Sequence, residues 1–191
     1  MTQVKYGIIG FGGIAENRVA KEGFACDAKR FSPLPEVKLV AATDINPARR
    51  DAAEALGLQW FDSIDALLAY PEIQAVYIAT NNRSHVEIAT AALQAGKHVI
   101  VEKPLATNSD DARKLIALAK EKGLSLYVDH MMTGNAWNRL AQQLVADGQI
   151  GKVNDACFHM EFAYGYAPEE ANSWRCSKIE EMGGPIGDVA S

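Results

Sequence analysis

Through the first 130 positions the apolar residues gather in short, nearly unbroken runs, such as "KYGIIG", "VKLVAA", "AVYIA", "HVIV" and "SLYV". Between the runs, apolar positions return every three or four residues. A run that is apolar on both faces suits a parallel strand covered by helices on each side, whereas the three-to-four return marks a helix with one buried face. The pattern predicts strands over 4–9, 37–42, 59–61, 75–79, 98–101 and 125–128. It predicts helices beginning near Ile14 and spanning 47–56, 63–68, 84–95 and 110–122. Local chemistry sets the expected boundaries. Pro47 occupies a first turn, Ser84 and Glu87 have capping-box spacing, Gly96 follows the third of these spans, and Ser109 and Gly123 bracket the last. Strand and helix alternating this often specify an α/β fold, a doubly wound parallel sheet.

Beyond about residue 130 the rhythm changes. A helix is expected over 136–147, and then Val153, Ala156, Phe158, Met160, Phe162 and Tyr164 suggest a half-buried antiparallel strand over 152–164. A domain boundary is therefore placed there. Residues 1–130 form the dinucleotide-binding unit, and 131–191 begin a second, α+β open-sheet domain; 191 residues accommodate both.

Composition narrows the function. The chain is 48% hydrophobic and 23% charged, as a folded globular protein is. Its net charge of -5 and lack of a basic stripe argue against nucleic acid and for a small-molecule ligand. The three cysteines, Cys26, Cys157 and Cys176, are odd in number and form no C-x-x-C, so neither a disulfide framework nor a metal site is expected. No run approaches the roughly 18 apolar residues of a membrane span, and the cytoplasm is the expected compartment.

The chemistry-bearing residues fall at the ends of the predicted strands. Gly10-x-Gly12-x-x-Ala15 lies between the first strand and the first helix. Gly10 permits a tight turn, Gly12 lets backbone approach a pyrophosphate, and Ala15 allows close helix packing, with helix-start amides facing the anion. Asp44 ends the second strand, where a carboxylate accepts hydrogen bonds from the adenosine ribose hydroxyls and repels a 2′-phosphate. NAD is the expected cofactor; Arg49 and Arg50 nearby leave room for NADP. Three further clusters end later strands: "ATNNRSH" (79–85), "EKP" (102–104) and "DHMM" (129–132). Lys103 there is suited to accept or relay the proton of a substrate hydroxyl, its ammonium form disfavoured by desolvation and by an oxidised nicotinamide. A cis bond before Pro104 would hold that turn.

Together the residues 10–15 ("GFGGIA"), Asp44, "ATNNRSH", "AGKHVIVEKP", "DGQIGKV", "SWR" and "GGPIGDVAS" resemble the Gfo/Idh/MocA oxidoreductases, the group of glucose-fructose oxidoreductase and inositol dehydrogenase. The resemblance implies a Rossmann domain followed by an open-sheet domain that often packs against another subunit, hence a homo-oligomer, dimer or tetramer. It implies that Lys103 touches substrate and nicotinamide, with Glu102 beside the cofactor. It places Gly10, Phe11, Gly12, Gly13, Ile14, Thr80, Asn82 and His85 at the dinucleotide cleft and Trp174 and Arg175 close to the cofactor. Asp188 matches the first residue of a D-x-x-x-H motif whose histidine would be residue 192, so the chain reads as the N-terminal piece of a longer enzyme. Two departures stand out. Thr80-Asn81-Asn82 replaces the common Thr-Pro-Asn, and Met131 or Met132 stands where many members carry an arginine, which disfavours an anionic substrate.

The implied reaction is hydride transfer between a nicotinamide and a secondary alcohol of a sugar, cyclitol or related polyol. A redox-cycling glycosidase of the same family and a non-catalytic dinucleotide sensor are the alternatives.

Overall fold

The computed structural model describes residues 3–157 and 159. Six parallel strands form one sheet: β1 (Val4–Ile9), β2 (Val37–Thr43), β3 (Gln59–Trp60), β4 (Ala75–Ile78), β5 (His98–Glu102) and β6 (Leu126–Asp129), in the spatial order β3-β2-β1-β4-β5-β6. Chain order thus runs outward from β1 on one side, then returns to the other side of β1 with β4. The point of reversal, between β1 and β4, is where doubly wound sheets open a crevice.

Each strand sends alternate residues to opposite layers. Ile9, Val76, Ile78, Val99 and Val101 pack with Leu67, Leu93 and Leu115 from the helices on one face. Ile8, Leu39 and Tyr77 pack with Phe11, Ala15 and Ala20 on the other. The helices are α1 (Arg50–Glu54), α2 (Ile64–Ala69), α3 (His85–Gln94), α4 (Ser109–Lys122) and α5 (Ala136–Ala146), with a π-helical segment, Ala15–Gly23, after the glycine turn. Each fully buried aliphatic side chain in these layers contributes about 1.5–3 kcal/mol by leaving water.

The elements predicted up to residue 130 are present, with corrections at their ends. The first helix is wound wide, Phe24 N–H donating to Val19 O at 2.8 Å. The span predicted over 47–56 divides into a 3-10 turn, Pro47–Arg49, and the short α1. Ser84 and Glu87 form no capping box, because Ser84 already has helical backbone angles (φ −90°, ψ −8°). The extended residue is Asn81, whose side chain accepts from Ser84 N–H and caps a 3-10 turn leading into α3. Likewise Asn108, not Ser109, caps α4, accepting from Asp111 N–H at 2.9 Å, and Gly123 ends it in the left-handed region.

After β6, a 3-10 turn, Met131–Gly134, leads to α5, whose residues are all exposed. Residues 152–157 and 159, the described part of the expected strand over 152–164, form no strand. A β-segment needs a neighbour to satisfy its backbone groups, and the described residues supply none there. Among the described residues no helix is long and apolar enough to cross a membrane.

Candidate functional site

A cleft of about 840 Å³ opens at the carboxyl end of the sheet, over the β1–β4 reversal. Gly10, Gly12, Asp44, Ile45, Thr80 and Asn81 are among the residues that line it.

The cleft begins where β1 stops. Gly10 N–H donates to Thr43 O at 2.9 Å, and Ala79 N–H donates to Ile9 O at 2.8 Å, so the end of β1 is held between β2 and β4. Gly10 then turns with φ +86°, and a Cβ there would lie 2.7 Å from Ala79 O. Only glycine meets both conditions. Gly12 and Gly13 differ, since a Cβ on either would find no atom within 4 Å. Space beside this backbone is what a pyrophosphate needs for close approach.

Phe11, between the cleft-lining Gly10 and Gly12, is fully buried. Its N–H donates to Asp44 Oδ2 at 2.6 Å, and Asn46 N–H donates to Asp44 Oδ1 at 2.7 Å. The carboxylate is thereby fixed at the rim, with lone pairs remaining for ribose hydroxyls. Ile14, at 43% exposure, continues the surface past the glycine turn. Arg49 and Arg50, the residues that left room for NADP, are both engaged. Arg49 Nε donates to Phe11 O at 2.7 Å and its guanidinium pairs with Glu16, while Arg50 pairs with Asp62.

On the other side of the reversal, Thr80 lines the cleft and accepts at Oγ1 from Ser84 Oγ at 2.8 Å. Asn82 is buried, and Asn81 takes the position on the cavity wall that was expected of it. His85 is fully buried. Its Nδ1 lies 2.8 Å from Pro104 O and its Nε2 3.2 Å from Thr80 O. The neutral imidazole has one N–H, so it donates to one of these carbonyls and packs against the other, behind the cleft and not on its wall. Burial holds its pKa below the ordinary histidine value, the two backbone contacts opposing that shift.

Lys103 and Pro104 follow directly on β5, and the peptide between them is cis. Lys103 is half-buried, at the same sheet edge as Gly10 and Asp44. Beside it, Glu102 belongs to a group that the sequence did not disclose. The Tyr77 hydroxyl donates to Asp129 Oδ2 at 2.6 Å and lies 3.0 Å from Glu102 Oε1. A phenol has one proton, and it is shared unequally, directed mainly at Asp129 over the shorter contact and more weakly at Glu102. Burial, the largest cause, raises the Glu102 pKa, against the hydrogen bond from Tyr77. Burial and the two carboxylates also push the Tyr77 phenol far above its usual range. A tyrosine inside the otherwise aliphatic run "AVYI", two strands from an aspartate, was the available sign. Trp174, Arg175 and Asp188 lie outside the described residues.

A parallel sheet of this order, a glycine turn after its first strand and a carboxylate ending its second define a dinucleotide-binding Rossmann domain. Residues 4–130 match the model of the oxidoreductase family with an NAD-binding Rossmann fold, GFO_IDH_MocA, and the chain belongs to that family. It is 37% identical over 128 residues to 1,5-anhydro-D-fructose reductase of Ensifer adhaerens, covering 66% of this chain and 37% of that protein. Among solved structures it is similar to a 3-ketoreductase from Actinomadura kijaniata in complex with NADP (TM-score 0.68, 30% identity, 79% of this chain and 46% of that one). It is also similar to scyllo-inositol dehydrogenase from Lactobacillus casei with bound NAD(H) and scyllo-inositol (TM-score 0.69, 28% identity, 79% and 43%). The chain thus spans less than half the length of each of these relatives.

Proposed function

We propose that this chain is the cofactor-holding part of an NAD(P)-dependent oxidoreductase that acts on a secondary alcohol of a sugar, cyclitol or related polyol. The observation that carries the reading is the gathering of the glycine turn, Asp44 and Thr80 around one cleft, with Lys103 ending a strand at the same sheet edge. The cleft fits a dinucleotide. It has open space beside Gly12 and Gly13 for a pyrophosphate and a fixed carboxylate for a ribose. When bound, the nicotinamide supplies the hydride acceptor or donor.

The chain's own residues do the rest. Backbone amides at the glycine turn face the pyrophosphate, Asp44 accepts from the adenosine ribose, and Thr80 and Asn81 form the opposite wall. Lys103 Nζ takes or returns the proton of the substrate hydroxyl as hydride moves, and Asp188 assists it. Relatives that reduce or oxidise sugar-like carbons support the substrate class. Residues 131–191 begin the substrate domain, and the longer enzyme works as a cytoplasmic homo-oligomer; the family resemblance supports these assignments.

Two measurements test the reading. Titration of the 191-residue chain with NAD is expected to give saturable binding that Gly12→Ala weakens. In the longer enzyme that carries this chain, Lys103→Ala is expected to leave NAD affinity nearly intact and abolish reduction of NAD by polyols. Undiminished turnover would remove Lys103 from the mechanism. Sugar release without net NADH would favour glycosidase chemistry instead.

A further inference from the structure

The two solved relatives above hold different cofactors, NADP in one and NAD(H) in the other. Which one a Rossmann domain takes depends on what stands around the adenosine 2′ position, a carboxylate for the hydroxyl or an arginine for the phosphate. This chain has both side chains, each held by a backbone group of the same residue: Asp44 accepts from Phe11 N–H at 2.6 Å, and Arg49 Nε donates to Phe11 O at 2.7 Å. Glu16 decides which of them can act. Its carboxylate pairs with the Arg49 guanidinium through Oε2 and with Lys21 Nζ through Oε1 at 2.5 Å.

We infer that Glu16 is a specificity residue for the ribose 2′ position: it holds Arg49 against the glycine turn, so that Asp44 alone recognises the ribose and NAD is favoured over NADP. The inference rests on the dinucleotide reading above. Geometry and charge support it together. Arg49 has its Nε on the Phe11 carbonyl, its fork on Glu16 and its guanidinium carbon 5.9 Å from the centre of the buried Phe11 ring. Swinging toward a phosphate would break a charge-assisted pair that sits on half-buried side chains, 20% and 27% exposed. Lys21, Glu16, Arg49 and Asp44 sum to no net charge, so removing Glu16 adds a positive charge where a 2′-phosphate carries about two negative ones. Arg50 offers no substitute, being paired with Asp62 and stacked 5.8 Å over Trp60.

The test is direct binding of NAD and NADP to the 191-residue chain, followed calorimetrically. The unmodified chain should bind NAD more tightly than NADP. Glu16→Ala should shift the ratio of NADP to NAD affinity toward NADP by about tenfold, the scale of one charge-assisted phosphate contact. Glu16→Gln, which keeps the side chain's length, should shift it less. Adding Arg49→Gln to Glu16→Ala should erase the gain. An unchanged ratio in Glu16→Ala, or a gain that survives loss of Arg49, would overturn the assignment while leaving the dinucleotide reading intact. Failure of the unmodified chain to bind either nucleotide would overturn both.

Discussion

Replacing Tyr77 by phenylalanine would remove one oxygen from between two carboxyl groups and leave the ring packing in place. That oxygen donates to Asp129 at 2.6 Å and lies 3.0 Å from Glu102. A hydrogen bond to a charged acceptor contributes about 1.5–3 kcal/mol. Glu102 and Asp129 are only half-buried and water can partly replace the phenol, so about 1–2 kcal/mol is expected. At about 2–4 °C per kcal/mol for a chain of this size, the melting temperature should fall by about 2–8 °C.

The loss should also depend on pH, with a definite sign. The folded-state pKa of Glu102 is raised, so its favourable contribution is complete below the unfolded value of about 4.3 and disappears as pH rises through the folded pKa. The Tyr77 hydrogen bond lowers that folded pKa, so deleting it raises the pKa further and enlarges the loss on the alkaline side. Circular-dichroism melts of both proteins at about pH 5 and about pH 8 check this, the larger decrement being expected at about pH 8. A decrement under about 1 °C there, or one larger at acid pH, would refute the reasoning.

Gly10→Ala and Gly12→Ala should separate folding from binding. The first places a methyl group 2.7 Å from Ala79 O at φ +86° and should cost at least about 2 kcal/mol in chemical denaturation. The second meets no atom within 4 Å and should stay within about 0.5 kcal/mol of the parent while weakening NAD in the titration. His85→Ala should cost about 2–4 kcal/mol, since it empties a buried site and strands whichever of the Pro104 and Thr80 carbonyls its single ring N–H serves. The lowered folded pKa of His85 means its contribution is present above about pH 6.5 and lost as pH falls through the folded value. Melts of His85→Gln should accordingly show a shallower decline than the parent's on acidification from about pH 6.5 to about pH 5.

The sheet was legible because hydrophobic burial alone encodes it. All six strands lie within one residue of their expected ends, and β4, the most continuous apolar run, is buried along its whole length. Helix starts were less legible, and Asn81 and Asn108 explain why. In each case two residues able to cap stood within a few positions, and the extended backbone angle that makes one of them the cap is set by the turn before it. The wide winding of Ala15–Gly23 had no local sign, as its sequence is ordinary for an α-helix. At the site, the placement of Gly10, Gly12 and Asp44 on the cleft could be read because it follows from their spacing and strand-end positions. Glu16, Tyr77 and Asp129 could not, since their partners are 33, 25 and 52 residues away in the chain.

Those long-range partners bear on how a proton-transferring lysine can be held in place. The turn that carries Lys103 is anchored on both sides of that residue: ahead of it Glu102 meets the Tyr77 hydroxyl from β4, and behind it Pro104 O meets His85 at the start of α3. Both anchors belong to elements buried in the sheet layers, not to exposed loops, and rigid elements place reacting groups more accurately than loops do. His85 also contacts Thr80 O, so the Lys103 turn and the far wall of the cleft share one side chain. A displacement of either loop must therefore be felt by the other. On the proposed reaction, this couples the wall that positions the dinucleotide to the amine that handles the proton.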